Sequence, residues 1–320
     1  MSQVWYPSIV TEKKPKPCYR IRNWNDYNKA LSRRGSLTLW IDQSLIDSWL
    51  HAAKSGRRGS SIKYADPAIF ALLAIGQLFH LPLRQTQGFA SSVFHLLSIS
   101  LPVPDYSTLC RRSSRLKVKL ASKPSDKIKH LLVDSTGLKV FGEGEWKVRT
   151  HGKDKRRTWR KLHISMDGES LLITAAVVTD NKTLDRKALA QLLEETQGEM
   201  ELVCADGAYD TTDCYKAIKQ RGAQGVIPPK SNAVIGGRKW FEDRDDHLRK
   251  IEEIGLKGWK KQSQYHRRSL VENAFYRLKR IFTEKLRSRT EDRQATEALI
   301  RCAVMNRLTG LGMPNSYIVD

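Results

Sequence analysis

The stretch Tyr265–Arg280 carries the side chains best suited to chemistry. No Gly or Pro interrupts it, and its mixture of apolar residues and good helix formers predicts a helix. At about 100° per residue, Tyr265, Arg268, Glu272 and Lys279 fall within roughly 60° of one another on the helix surface. One carboxylate thus shares a stripe with two cations and a phenol, a set suited to a metal ion and phosphate oxygens. A second stripe of Leu270, Ala274, Leu278 and Ile281 is expected to face a core. Taken alone, the polar stripe fits a solvated face equally well, and carboxylates elsewhere in the chain decide between the two.

Two of them stand out. Asp134 closes the short apolar run His130-Leu131-Leu132-Val133-Asp134, and Asp206 closes Glu201-Leu202-Val203-Cys204-Ala205-Asp206. Both runs read as buried strands, and strand carboxyl ends gather at one edge of an open sheet, where sites form. With Glu272 brought across by a packed helix, Asp134 and Asp206 make a cluster of hard oxygen ligands suited to Mg²⁺, with Mn²⁺ able to replace it. Three such carboxylates repel one another unless cations intervene. Two ions about 3.5–4 Å apart would activate an attacking oxygen and stabilise a leaving one. Asp167, Asp180 and Asp210 also lie near strand ends and read as turn residues.

The elements that must position these groups fall into distinct regions. Residues 1–35 are polar, with Pro7, Pro15 and Pro17, and read as an extended arm. Region 36–121 reads as helical: Leu37–Ala53, a helix capped by Asp66 with Pro67 behind it and running to about Phe79, Leu83–Leu97, and a helix capped by Asp105 running from Tyr106 to about Leu120. The last carries Arg111, Arg112, Arg115, Lys117 and Lys119, which fits a helix-turn-helix-like DNA-binding domain with Arg111 and Arg112 as contacts. Residues 122–129 read as a linker. From 130 to 312 the pattern changes to α/β: strands over His130–Asp134, Thr158–Met166 and Leu171–Val178, helix Leu184–Glu195, strand Glu201–Asp206, helix Thr211–Arg221, strand Gly225–Pro228 and a helix over Gln294–Leu308. This order predicts a mixed sheet with parallel crossovers in its second half. A polar insert, 231–264, precedes the Tyr265 helix; its Trp240 and Trp259 read as packing residues rather than base-stacking ones. Residues 313–320 are a tail.

Composition points to the partner. Fifty-six Lys and Arg against 34 Asp and Glu give a net charge of +22, with a pI near 9.9. Such a charge is expected to be neutralised by a polyanion, with nucleic acid ahead of an anionic membrane surface. Lys147–Lys161, which includes Arg156 and Arg157, reads as a phosphate track. Met1–Tyr19 holds no apolar run of signal-peptide length, and the most apolar stretch, Ala68–Gly76, is too short to span a bilayer, so no membrane association is expected. Five scattered cysteines with no C-x-x-C pair read as reduced thiols in a cytoplasmic protein without structural zinc.

Three motifs together carry a family resemblance. Leu132-Val133-Asp134-Ser135-Thr136-Gly137 and Ala205-Asp206-Gly207-Ala208-Tyr209-Asp210 accompany a Y-x₂-R-x₃-E-x₆-K spacing met by Tyr265, Arg268, Glu272 and Lys279. Pro104–Arg112 resembles a stretch of the same family's N-terminal region. Over roughly residues 65–312 the chain resembles DDE transposases of bacterial insertion sequences, in the insertion-sequence-five family and its YREK-motif branch. That resemblance implies a ribonuclease-H-like catalytic fold in which Asp134, Asp206 and Glu272 bind Mg²⁺ and Tyr265, Arg268 and Lys279 contact element-end DNA. It also implies nicking at terminal inverted repeats, attack of the freed 3′-hydroxyl on target DNA, a homodimer at synapsis, and a bacterial, nucleoid-associated location. Only 65 residues separate Asp206 from Glu272, too few for the large β-rich insertion with which some relatives handle hairpins. Two alternatives stay open: a nuclease or domesticated integrase that cleaves without joining, and a non-catalytic DNA-binding repressor, against which the intact acids speak.

Overall fold

The computed structural model describes residues 18–51, 63–120, 127–140 and 159–319. Its described residues form two compact units, one comprising 18–36 with 311–319 and the other 37–310. In the smaller unit, β1 (Cys18–Ile21) pairs antiparallel with β8 (Ser316–Val319), and α1 spans Trp24–Arg34. From residue 18 on, the expected extended arm is thus a strand and a helix, and the expected tail supplies the partner strand; residues 1–17 lie outside the described residues. Asn23 ties them together: its Nδ2 donates to the Met313 carbonyl at 3.1 Å, and its Oδ1 accepts from the Asn315 amide at 2.7 Å. These partners lie almost a chain length away, which local pattern cannot register.

The larger unit begins with helices. A 3₁₀ turn (Leu37–Leu39) and α2 (Gln43–Asp47) replace the single helix expected over Leu37–Ala53. They are followed by α3 (Asp66–Leu78), α4 (Leu83–Leu96) and α5 (Tyr106–Ser113). Asp105 caps α5 as expected, accepting from the Ser107 amide at 2.8 Å. Asp66 does not cap α3; it lies in the first turn, where its carboxylate pairs with Arg112. Helix α5 stops well short of Leu120. Ser113 and Ser114 turn their hydroxyls back onto the Cys110 and Arg111 carbonyls at 2.8 and 2.9 Å, competing with the helical ladder.

The sheet is built on β2 (Lys127–Val140). On one side β3 (Trp159–Asp167) runs antiparallel to it, from Leu131↔Asp167 to Lys139↔Trp159, and β4 (Ile173–Asp180) runs antiparallel to β3. On the other side β5 (Glu199–Cys204) is parallel to β2, and β6 (Gln224–Val226) is parallel to β5. The order is β4-β3-β2-β5-β6, and the short β7 (Lys285–Leu286) joins the far end of β2. This is the mixed α/β sheet the sequence predicts. One strand differs: Asp134 lies in the middle of β2, because Leu138 and Val140 continue the buried alternation past it.

Alternation divides the core into two. Leu131, Val133 and Val203 pack with Leu189 and Leu192 of α6 (Asp185–Glu195) and Ile218 of α7 (Thr212–Gln220). Leu132, Leu162 and Cys204 face the other way. They share a core with Trp49, Leu72 and Leu109 of the helical region and with α9 (Ser269–Phe282) and α10 (Glu291–Gly310). The helical region is therefore packed onto the sheet through one continuous core. No single helix among the described residues is long and apolar enough to cross a membrane; α3 and α4 pass that test only as a pair bent by 110°.

The insert contains a helix that apolar periodicity misses, α8 (Glu242–Gln262), broken at Gly255 by a φ of 72°. Its buried residues include Asp243 and His247. Asp243 accepts from the Gly225 amide at 2.8 Å, and His247 Nε2 lies 2.7 Å from the Gly225 carbonyl, so the open edge of β6 is closed by side chains. Trp259, on the same helix, is 0% exposed and packs as expected.

Candidate active site

The Tyr265 helix itself departs from expectation at its start. Tyr265–Arg268 forms a 3₁₀ turn, and α9 begins only at Ser269. Its buried face is Val271, Ala274, Phe275, Leu278 and Phe282, rotated from the predicted stripe, so Leu270 and Ile281 are only partly covered. Glu272 consequently stands exposed in the first turn of α9, four residues beyond Arg268.

Arg268 is the centre of the arrangement. Its Nη1 donates to Asp134 Oδ2 at 2.6 Å and its Nη2 to Glu272 Oε1 at 2.7 Å. One guanidinium therefore joins a mid-sheet aspartate to a helix glutamate. Burial works against the Arg268 charge, but Tyr265, Asp134, Glu272 and Asp206 more than offset it and hold the group protonated. Asp134 is largely enclosed. Burial pushes its carboxyl up, the Ser135 amide and Arg268 pull it down, and Asp206 and Glu272 push it up again.

Asp206 follows β5 and caps a 3₁₀ turn (Gly207–Tyr209), accepting from the Ala208 amide at 2.9 Å. Tyr265 is half-buried, its ring 5.6 Å from that of Trp259, with the Lys260 ammonium 5.8 Å and the Arg268 guanidinium carbon 6.0 Å from its centroid. Burial pushes its phenol up, Arg268 opposes, and Asp206 and Asp134 add to the rise. The phenol stays a hydrogen-bond donor at neutral pH.

The other candidates are placed differently. Lys279 lies about 10 Å along α9 from Glu272. It belongs to a basic group with Lys139 and Lys285 around Glu284, whose carboxyl is held low first by its Lys139 hydrogen bond. Arg111 is exposed at the end of α5, 3.4 Å from Thr108 Oγ1. Arg112 turns inward, donating to the Tyr64 carbonyl at 2.8 Å and pairing with Asp66, so it ties α5 to the start of α3. Arg156 and Arg157 lie outside the described residues. Two members of the same basic stretch are held internally: Arg160 by Gln294 at 2.7 Å and by Glu291, and Lys161 by the Thr183 carbonyl at 2.9 Å and Asp185 at 3.0 Å. Asp167, Asp180 and Asp210 serve turns and loops, accepting from the amides of Glu169, Thr183 and Lys230 at 3.0, 2.8 and 2.9 Å.

Tyr209 was not foreseen. It is 1% exposed beneath the site, its hydroxyl without a hydrogen-bond partner among the described residues. Burial first, then Asp185, Asp134 and Asp206, push that hydroxyl far up. Its position three residues after Asp206, one 3₁₀ turn on, was the available signal.

As the side chains stand, no group of three or more His, Cys, Asp or Glu among the described residues is arranged to hold a metal ion. The Arg268 guanidinium instead bridges Asp134 and Glu272. The donor set still fits a hard divalent ion: Asp134 and the two carboxylates that perturb it, Asp206 and Glu272, with no sulfur or imidazole among them.

Two family models match the chain, both described as a transposase DDE domain, one over residues 32–143 and the other over 125–307. Among solved structures, the cryo-EM structure of the piggyBac transposase synaptic complex with hairpin DNA is similar at 12% identity and a TM-score of 0.42, covering 87% of this chain and 73% of that one.

Proposed function

Because the chain belongs to the family of transposase DDE domains, we propose that it is an insertion-sequence transposase that binds terminal inverted repeats, cuts at them and joins the freed ends to target DNA. The reading extends to the insertion-sequence-five family, its YREK branch and a ribonuclease-H-like core, supported by the spacing of Tyr265, Arg268, Glu272 and Lys279 and by the mixed sheet order. The observation that carries it is the joining of Asp134 and Glu272 by Arg268, with Asp206 in the same electrostatic field.

In this reading Asp134, Asp206 and Glu272 hold Mg²⁺, which when bound supplies Lewis-acid polarisation of phosphate oxygen and a more acidic attacking water. Arg268 offers a planar fork that fits two phosphate oxygens. Tyr265 donates a hydrogen bond from a phenol that burial keeps protonated. Lys279, with Lys139 beside it, holds the strand further along. Hydrolysis forms a bond from water oxygen to the end phosphorus and breaks the bond from phosphorus to the 3′-oxygen, which leaves as a 3′-hydroxyl. That hydroxyl then attacks a target phosphorus, and the target's own 3′-oxygen leaves. The chain acts as a homodimer so that both ends are held together.

The test uses the full chain, Mg²⁺ and a duplex carrying the sequences that flank its reading frame. Nicked 3′-hydroxyl ends and joined products are expected. Cleavage without joining would favour the nuclease alternative, and binding without cleavage the repressor.

A further inference from the structure

We propose that Arg268 is a placeholder cation: in the DNA-free protein its guanidinium occupies the position between Asp134 and Glu272, and its transfer to a DNA phosphate releases both carboxylates for the metal ion. The inference rests on reading those acids as metal ligands.

Geometry supports it in three ways. First, both arms of the fork are used, at 2.6 and 2.7 Å, each on one oxygen of its carboxylate, while the other Asp134 oxygen accepts from the Ser135 amide at 2.8 Å. The guanidinium therefore competes directly for the atoms an ion needs. Second, Arg268 lies on the 3₁₀ turn immediately before α9, four residues from Glu272, so it changes partners by rotating its side chain while the backbone stays in place. Third, phosphate presents a guanidinium with the same two-oxygen geometry as carboxylate. When DNA supplies a phosphate and the ion replaces Arg268, the acids keep a cationic partner throughout.

The consequence is coupling. A cation that must be displaced weakens metal binding in the absence of DNA, and any phosphate that captures it strengthens metal binding by the same factor, reciprocally. The acids would then load metal chiefly when DNA is present, which limits indiscriminate hydrolysis by free protein. A merely structural bridge makes the opposite prediction: cutting it lets Asp134 and Glu272 drift apart and weakens the ion.

The test is Mn²⁺ titration of the DNA-free full chain, read by the electron paramagnetic resonance signal of free Mn²⁺, for wild type, Arg268→Gln, Arg268→Lys and Arg268→Gln/Asp134→Asn. We expect Arg268→Gln to bind Mn²⁺ at least tenfold more tightly than wild type. Arg268→Lys, a point charge unable to fork across both acids, should gain less, and it carries the test if circular dichroism shows Arg268→Gln to be unfolded. The double variant should lose the gain. Unchanged or weaker binding in both single variants, with binding still dependent on Asp134, overturns the placeholder and leaves the acids as metal ligands. Binding indifferent to Asp134 overturns both.

Discussion

Leu132 of β2 lies directly beside Cys204 of β5 in parallel register, and both side chains enter the core shared with α9. Two residues on in each segment come Asp134, still within β2, and Asp206, just past the end of β5. Asp134 keeps the parity of Leu132, so it faces the start of α9, where Arg268 on the preceding 3₁₀ turn joins it to Glu272. The site thus follows from a strand register. A slip of one residue would turn Asp134 toward α6.

Trp259 is 0% exposed and packs against both His247 and Tyr265. Trp259→Ala should lower stability by about 3–5 kcal/mol through loss of packing and the cavity left behind, whereas Trp259→Phe should retain most of it. Chemical denaturation measures this. A role in stacking on DNA bases would instead leave stability intact and weaken DNA binding.

Arg301, 1% exposed, gathers Glu297 at 2.6 Å, Gln77 at 3.0 Å and the Thr283 and Lys285 carbonyls at 3.2 and 2.8 Å. It joins α3 to α10 and the β7 strand. Arg301→Met should destabilise by about 3–5 kcal/mol because Glu297 is left as a buried charge without its cation. Adding Glu297→Gln should recover part of the loss, which a double-mutant cycle of unfolding free energies would show.

In the proposed function Lys279 contacts DNA, whereas Arg112 supports the fold internally. Lys279→Ala should weaken DNA binding and reduce the slope of log affinity against log salt by about 1. Arg112→Ala, removing ties to Tyr64 and Asp66, should lower the thermal midpoint and leave that slope unchanged. Fluorescence anisotropy over a salt series distinguishes them.

His130, His163 and His247 are buried, and burial pushes each below the ordinary imidazole value. The unfolded chain therefore binds protons that the folded chain refuses. The stabilisation is complete above the unfolded value, about pH 6.5, and is lost as pH falls below it, by at most about 1.4 kcal/mol per pH unit for each histidine. Thermal midpoints should fall between pH 7 and 5, less steeply in His163→Asn. An equal slope in that variant would count against the assignment of His163.

Most strands were legible because buried β-segments are continuous apolar runs, as in Ile173–Val178. The same runs and the spacing around Glu272 mark Asp134, Asp206 and Glu272 as candidates, and the structure brings Asp134 and Glu272 together on Arg268. What stayed hidden were polar groups satisfied by distant partners. Helix α8 was obscured because two of its buried side chains, Asp243 and His247, serve the edge of β6. Arg112, Arg160 and Lys161 read as free cations until their partners, 48, 134 and 22 residues away, come into place. Tyr209 stands in the Ala205–Asp210 motif, but its burial beside the acids depends on the fold.

In the proposed function Asp134, Asp206 and Glu272 act together on DNA. Its most direct test is the Mg²⁺-dependent cleavage rate of Asp134→Asn, Asp206→Asn and Glu272→Gln on a duplex carrying the flanking repeats, with folding and DNA binding checked alongside. Each folded, DNA-binding variant should cleave at least about a thousandfold more slowly than wild type. Cleavage at the wild-type rate by any one of them would contradict the account.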